Sequence, residues 1–337
     1  MNIKTKITKI HYDKQSKGIL FDILKFASIF YWMGSSLRNT LYDKGFLKAH
    51  KVDAYVISVG NLTTGGVGKT PVVAEITKYL TEKGKKVAIV SRGYGGRLSN
   101  KKINLISDGE KTYYNASLAG DEPFWLAQNT NAVVITSKDR VKAAQYAIKE
   151  FGVTTIILDD GFQYRKLHRD MNIILSDSEK GFGNENLLPA GPLRETPESF
   201  KRVDRLVIVS KNINHERAEK IARIMGKKYN IKTLVCKTEP DCVYNIKTGE
   251  ILKDGMKITA LSGIGQPEQF YKFLNNFDIV ETKTFDDHHK YTEDDIKNIH
   301  TPIVTTEKDA VKLVDFNFDN IYALKLKTSI NVEDLLN

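Results

Sequence analysis

Lys69 and Thr70 close the run Gly65-Gly66-Val67-Gly68-Lys69-Thr70, the stretch whose residue types and spacing are best suited to chemistry. Glycines let backbone N–H groups turn inward around an anion, and the N-terminus of a following helix adds partial positive charge. A lysine there reaches the β- and γ-phosphates of a nucleotide, and the neighbouring hydroxyl reaches Mg²⁺. On this reading Thr63, Thr64, Gly65, Gly66, Val67, Gly68, Lys69 and Thr70 hold the nucleotide, and Lys69 is also catalytic. The alternative is a plain glycine turn. The apolar strand Ala54–Val59 before the run and an amphipathic helix beginning near Pro71 favour the phosphate loop. The loop is a variant, because Thr63 stands where the usual pattern begins with glycine. Partition- and division-type ATPases share the GG-x-GKT form, but carry a signature lysine where this chain has Thr64. No guanine-reading Asn/Thr-Lys-x-Asp motif is evident, which points to ATP.

Phosphate transfer also needs carboxylates for a metal and for a base. Asp159-Asp160-Gly161-Phe162-Gln163 follows the apolar strand Thr154–Leu158, at the strand end where open α/β sheets bind ligands. Asp-Gly is also an ordinary turn signal. Gly120-Asp121-Glu122-Pro123 opens a helix, and by position alone Asp121 reads as its N-cap. Asp286-Asp287-His288-His289 follows the strand Ile279–Thr284, and reads either as surface decoration or as a metal or proton-transfer group. If His288 faces Asp121 across a cleft, the pair can accept the proton of an attacking hydroxyl. Arg92 in Ser91-Arg92-Gly93-Tyr94-Gly95 either closes a turn or lines the cleft. Arg194, in a Pro/Gly-rich loop, is either solvated or grips a phosphate with its two-pronged guanidinium. Thr306-Glu307-Lys308-Asp309 reads as a helix start with Thr306 as cap, leaving Lys308 a weaker site candidate.

These residues need a scaffold that collects strand ends. Apolar β-branched runs at Ala54–Val59, Val87–Ser91, Ala132–Thr136, Thr154–Leu158, Asn172–Leu175 and Leu206–Ser210 alternate with helical patterns near 71–83, 120–128, 138–150 and 215–228. That alternation describes a mostly parallel sheet covered on both faces. Val243–Leu252, with Lys247-Thr248-Gly249 in its middle, reads as a hairpin. Beyond it come the strand Lys257–Leu261, a helix near 267–276, the strand Ile279–Thr284, a helix near 292–299, and the strands Ile303–Thr305 and Ile321–Leu326. The expected division is an N-terminal basic, amphipathic segment at 1–50, a phosphate-loop domain at 51–240, a β-hairpin linker at 241–254 and a smaller Rossmann-like α/β domain at 255–337.

Hydrophobic residues at 41% and charged residues at 27% exclude a wholly disordered chain. The two cysteines, Cys236 and Cys242, support neither a disulfide framework nor a zinc site, and fit a reducing cytoplasm. The net charge is +10, and +7 of it lies in residues 1–51, where ten Lys/Arg face Asp13, Asp22 and Asp43. Such a block calls for an anionic partner. Within it Leu20, Ile23, Leu24, Ala27, Phe30, Leu37 and Leu41 recur at helical spacing, with Tyr31 and Trp32 near the edge. Asp22 and Lys25 make the run too short and too charged to span a bilayer, and no cleavage site follows it. A helix lying on an anionic membrane is expected, each basic residue adding roughly 1 kcal/mol. The other reading is a helix packed on the protein's own core.

Taken in order, Val59-Gly60-Asn61-Leu62 leading into the Gly65–Pro71 run, Ser91–Gly95, Gly120–Pro123, Asp159–Gln163, Leu188-Pro189-Ala190-Gly191-Pro192-Leu193-Arg194-Glu195, Asp287-His288 and Thr305–Asp309 resemble the tetraacyldisaccharide 4′-kinases (lipid A 4′-kinases) of Gram-negative bacteria. The resemblance covers nearly the whole chain. It implies transfer of the ATP γ-phosphate to the 4′-hydroxyl of a tetraacyldisaccharide 1-phosphate at the cytoplasmic face of the inner membrane, with the protein held peripherally. It also implies two Rossmann-like domains joined by a small β linker and an N-terminal hydrophobic helix that meets the bilayer. Asp121 maps to the proposed base and His288 to its partner, while Glu122, Asp159, Asp160 and Gln163 fall where Mg²⁺ and the moving phosphate are managed. No nucleic acid and no obligate protein partner is expected. The competing class is a membrane-recruited switch ATPase of the partition or division type. A nucleic-acid-binding NTPase is a poorer fit to the Leu/Ile/Phe stripe.

Overall fold

The apolar run Tyr55–Asn61 forms β1, and six of its seven residues are buried because the sheet is covered on both sides. In the computed structural model, which describes residues 3–211, 214–265, 267–286 and 289–337, β1 lies between two parallel neighbours. The other strands are β2 (Val87–Ser91), β3 (Asn104–Asp108), β4 (Val133–Thr136), β5 (Thr155–Asp159), β6 (Met171–Asp177), β7 (Arg205–Ser210), β8 (Lys232–Asn245), β9 (Lys257–Ser262), β10 (Asp278–Thr284), β11 (Ile303–Thr306) and β12 (Ile321–Ser329). Among the described residues these twelve make one sheet in the order β10-β9-β11-β12-β8-β7-β6-β1-β5-β2-β4-β3. The expected α/β architecture with a dominant parallel sheet is what forms.

The helices are α1 (Ile3–Tyr12), α2 (Ile19–Asp43), α3 (Lys69–Glu82), α4 (Ala116–Ala119), α5 (Asp121–Asn129), α6 (Arg140–Phe151), α7 (Glu216–Tyr229), α8 (Pro267–Phe273), α9 (Glu293–Ile296), α10 (Glu307–Leu313) and α11 (Val332–Leu336). One core packs Val72, Val73 and Ile76 of α3 and Leu126 of α5 against Ile57, Val59 and Ile157 of the sheet. A second packs Val141, Ala144 and Ala147 of α6 against Val56, Ile156 and Leu158. Neighbouring residues of β1 and β5 thus feed opposite cores, and the strand ends between them carry the polar chemistry.

β8 is the element that joins the two parts of the sheet. Its first half runs parallel to β7, from Arg205↔Lys232 to Ser210↔Lys237, and its second half runs antiparallel to β12, from Ser329↔Lys237 to Tyr322↔Asn245. Pro240, which cannot donate to a ladder, sits at the register shift opposite Lys325 and Leu326. The chain then turns back at Asn245–Glu250, with Tyr244 bridged to Ile251. β3, an antiparallel edge strand of mixed polarity, carries no strong sequence pattern and was not among the expected strands.

No helix among the described residues is long and apolar enough to cross a membrane. α2 is tied to the body by polar groups on its inner side: Ser28 Oγ donates to Leu187 O, Tyr31 Oη to Arg194 O, and Asn39 Nδ2 to Glu195 Oε2. Its outer side exposes Ile23 (59%), Phe26 (64%), Phe30 (61%) and Leu37 (62%). The stripe read from spacing therefore splits. Leu20, Ile23, Phe30 and Leu37 face outward, whereas Leu24, Ala27 and Leu41 are half-buried against the body.

Candidate active site

The loop between β1 and α3 turns on Gly68, whose φ of +91° places it in the left-handed region at the N-cap of α3. α3 begins at Lys69, so Pro71 is its third residue rather than its first. The proline still costs nothing, because no N–H of a first turn has an intrahelical acceptor. Lys69 curls back over the loop, with Nζ 3.2 Å from Asn61 Oδ1 and 3.5 Å from Asp160 Oδ1. Asn61, the last residue of β1, also donates from Nδ2 to Thr63 O at 2.6 Å. Asn61 therefore braces both ends of the loop, a task its side chain gains only once the strand and loop are folded.

The Pro/Gly-rich segment before Arg194 lines the other side. Thr64 N donates to Pro192 O (2.8 Å), Arg194 N donates to Leu62 O (2.7 Å), and Thr63 bridges Leu193. This aims Arg194 at the site, where its Nη1 lies 2.9 and 2.8 Å from the two oxygens of Asp160. The guanidinium is thus engaged with a carboxylate at the mouth of the loop.

Asp159 and Asp160 end β5 with opposite electrostatics. Burial pushes the Asp159 carboxyl up to about 7, and the charges of Glu122 and Asp160 add to that while Lys69 and Arg140 oppose it. Burial also acts against ionisation of Asp160, but Lys69, Arg194 and Arg140 more than offset it and hold that group at about 2. Asp160 adopts φ +52°, in the left-handed region, just past the end of β5. Close packing fixes this corner: a Cβ on Gly161 would come within 2.5 Å of Leu158 Cβ, and one on Gly60 within 2.8 Å of Phe162 Cβ. Gln163 Nε2 donates to Asn61 O at 3.1 Å. Arg140, a buried residue that sequence reasoning missed, donates to Asp160 O and lies over the Tyr164 ring. A charge at the start of an amphipathic helix gave no signal that it would be buried. Burial lowers its affinity for the proton, and the charge of Arg92 adds to that, which places Arg92 within electrostatic reach of the cluster.

Asp121 is not the N-cap that its position suggests. Gly120 takes that place with φ +96°, because the turn packs so closely that a Cβ there would lie 2.7 Å from Tyr94 O. Asp121 is instead the first residue of α5, where a helix N-terminus favours negative charge. Its Oδ2 lies 3.3 Å from Lys312 Nζ of α10, and Lys312 also reaches Asp309 Oδ1 at 3.0 Å. The fully buried Asp309 accepts from Gly263 N and Thr306 Oγ1, so the chain of contacts runs from α5 into the far part of the sheet. Thr306 caps α10 as expected from its sequence, accepting from Asp309 N. Lys312 was not singled out from the sequence, where it is one lysine of an ordinary helical pattern. Asp287 and His288 lie outside the described residues. Their neighbour His289 stacks on Phe285 and contacts Asp295 Oδ2 at 3.3 Å.

Lys69, Asp159, Asp160, Gln163 and Arg194 thus meet at one end of β1 and β5, and Glu122 is near enough to act on Asp159. Asp159 Oδ1 is buried with no hydrogen-bond partner among the described residues. Crowded carboxylates with an oxygen left over are a donor set that suits a hard cation. No three His, Cys, Asp or Glu side chains among the described residues gather closely enough to cage a metal by themselves.

The profile of the Tetraacyldisaccharide-1-P 4′-kinase family matches residues 20–337. The Tetraacyldisaccharide 4′-kinase of Desulfotalea psychrophila is 36% identical over 336 residues, covering 95% of this chain and 96% of the relative. That of Syntrophus aciditrophicus is 34% identical over 339 residues, covering 93% and 90%. A crystal structure of LpxK from Aquifex aeolicus in complex with ATP superposes with a TM-score of 0.76 at 34% identity, covering 94% of this chain and 97% of that one.

Proposed function

The chain belongs to the tetraacyldisaccharide 4′-kinase family, and from that premise we propose that it moves the γ-phosphate of ATP to the 4′-hydroxyl of a tetraacyldisaccharide 1-phosphate through the residues gathered around Lys69 and Asp121. Membership also sets aside the switch-ATPase reading, since these relatives are phosphotransferases named for an alcohol acceptor.

The observation that carries the assignment is the meeting of a phosphate loop with an acidic strand end. Residues Thr63–Thr70 wrap the triphosphate, and Lys69 neutralises charge on its β- and γ-phosphates. When bound, Mg²⁺ would draw charge from the phosphate oxygens, with Thr70, Asp159, Asp160, Glu122 and Gln163 as its candidate holders. Asp121, with His288 as its family-derived partner, accepts the proton of the 4′-hydroxyl. That oxygen bonds to the γ-phosphorus as the bond to the β–γ bridging oxygen breaks, and ADP departs. Arg194 and Arg92 are the candidates to face anionic parts of the reactants. In this reading residues 51–240 are the phosphate-loop domain, 255–337 the smaller domain, and 241–254 the linker. The basic, amphipathic segment 1–50 rests on the anionic cytoplasmic face of the inner membrane, its outward Ile23, Phe26 and Phe30 among the acyl chains.

Incubation with labelled ATP, Mg²⁺ and a lipid A precursor tests the function: label is expected on the 4′-hydroxyl. Label released only as free phosphate, with none on the lipid, would defeat it. Asp121→Ala should abolish transfer and leave ATP binding near normal, and near-normal transfer by this variant would remove Asp121 as the base.

A further inference from the structure

A peptide unit is planar and trans, so the C=O of one residue and the N–H of the next point in opposite directions. Any group that captures a loop carbonyl from outside therefore aims the following N–H inward. Two side chains do this to alternate peptides of the phosphate loop. Tyr12 Oη, at the end of α1, donates to Thr64 O at 2.9 Å. Lys211 Nζ, just beyond β7, donates to Gly66 O at 2.9 Å.

Both donors are themselves held in place. Lys211 Nζ lies 3.4 Å from Asp177 Oδ2, and Asp177 is fixed by accepting from Glu179 N and Lys180 N through Oδ1. The Tyr12 ring carries the Lys180 ammonium 4.7 Å from its centroid. α1 is tied down by Asn184, whose N donates to His11 O and whose Nδ2 donates to Ile10 O, and by His11 Nε2 against Pro189 O. Burial, with help from Asp177, raises the Tyr12 hydroxyl above its usual range, so it stays a donor. Between Tyr12, Asp177, Lys180 and the outer side of the loop there remains only about 10 Å³, room for a water at most. By the planar, trans geometry of the two captured peptides, the N–H groups of Gly65 and Val67 are directed away from these donors, toward the side on which a phosphate would meet the loop.

We propose that Tyr12 and Lys211 are positioning residues for the nucleotide, which preset the phosphate loop by capturing the carbonyls of Thr64 and Gly66 and so aim the N–H groups of Gly65 and Val67 at the phosphates. Tyr12 lies outside residues 20–337, the span that the family profile matches, so this brace is contributed by a segment outside that span. The proposal rests on the reading of the loop as an ATP site.

The test uses the full chain and the variants Tyr12→Phe, Lys211→Met and Lys211→Arg, with ATP and adenosine affinities from titration and steady-state kinetics on the lipid acceptor. Tyr12→Phe and Lys211→Met should each weaken ATP roughly fivefold, the effect of one lost hydrogen bond. KM for ATP should rise in step while kcat holds, because the loop N–H groups bind the phosphates before and during transfer alike. Lys211→Arg, which keeps a donor in reach, should recover most of the loss, and adenosine, having no phosphate, should bind all forms equally. ATP affinity unchanged within twofold in both Tyr12→Phe and Lys211→Met overturns the proposal, as does an equal loss for adenosine. Failure of the unaltered chain to bind ATP would instead bring down the kinase reading and this proposal together.

Discussion

At the residue scale, two adjacent aspartates are driven apart by their surroundings. Asp159 has a folded value near 7 against about 3.8 unfolded, so the folded state holds its proton more tightly. The stability that this gives is present in full below about pH 4 and is lost as pH rises through 7. Asp160 behaves oppositely: held at about 2, it contributes stability above its unfolded value that is lost as pH falls through 2. Between pH 5 and 8, melting of the nucleotide-free protein compared with Asp159→Asn should therefore show the unaltered chain losing ground as pH rises. A parallel pair of curves would contradict the assignment. Mg²⁺ favours the ionised carboxylate, so its binding at pH 6 should release a proton that Asp159→Asn does not release, measurable as a buffer-dependent heat. Lys69→Ala acts differently. It removes the cation that faces both Asn61 and Asp160, and transfer should fall at least about 100-fold, the scale of losing one preorganised charge at a transition state.

At the element scale, α2 faces the body with Ser28, Tyr31 and Asn39 and faces outward with Ile23, Phe26 and Phe30. Leu24, Ala27 and Leu41 are half-buried beside those polar groups, yet a helix packed only on its own protein would not leave Phe26 and Phe30 outside, because apolar area is what burial rewards. Phe26→Ser with Phe30→Ser should cut flotation with anionic liposomes several-fold, yet move stability by only about 0.5 kcal/mol, since both side chains are already exposed. Unchanged flotation would detach α2 from the membrane reading. These point variants are cleaner than deleting residues 1–50. Deletion also removes Tyr12 from Thr64, Tyr31 from Arg194 O and Asn39 from Glu195, and so disturbs the site from behind.

At the scale of the whole molecule, β8 carries the main chain from one part of the sheet to the other, and Lys312 carries charge across to Asp121. Lys312 sits between two carboxylates, one of them fully buried. Lys312→Met would remove the Lys312 ammonium from both, and breaking a buried pair in this way costs about 3 kcal/mol. Melting should drop accordingly, and transfer should fall more than ATP affinity, because Asp121 is proposed to serve the acceptor hydroxyl while the nucleotide is held by the loop residues Thr63–Thr70. Loss of ATP affinity equal to the loss of transfer would mean that Lys312 acts on the nucleotide site instead.

The glycine-rich turn from β1 into α3, the alternation of strands and helices and the acidic end of β5 were legible in the sequence, because each is a local matter. Gly68 must be glycine for its φ, Lys69 and Thr70 must follow it, and an apolar run of β-branched residues needs no distant partner to become a strand. β8 was legible only in part, since Pro240 and the polar residues around it break the strand pattern that two different neighbours then restore. That Asn61 braces the loop, that Arg194 turns onto Asp160, that Arg140 is buried against it and that Lys312 meets Asp121 emerges only on folding. Those contacts join residues far apart in the chain, and a side chain's partner across such a distance is set by packing geometry that spacing does not encode.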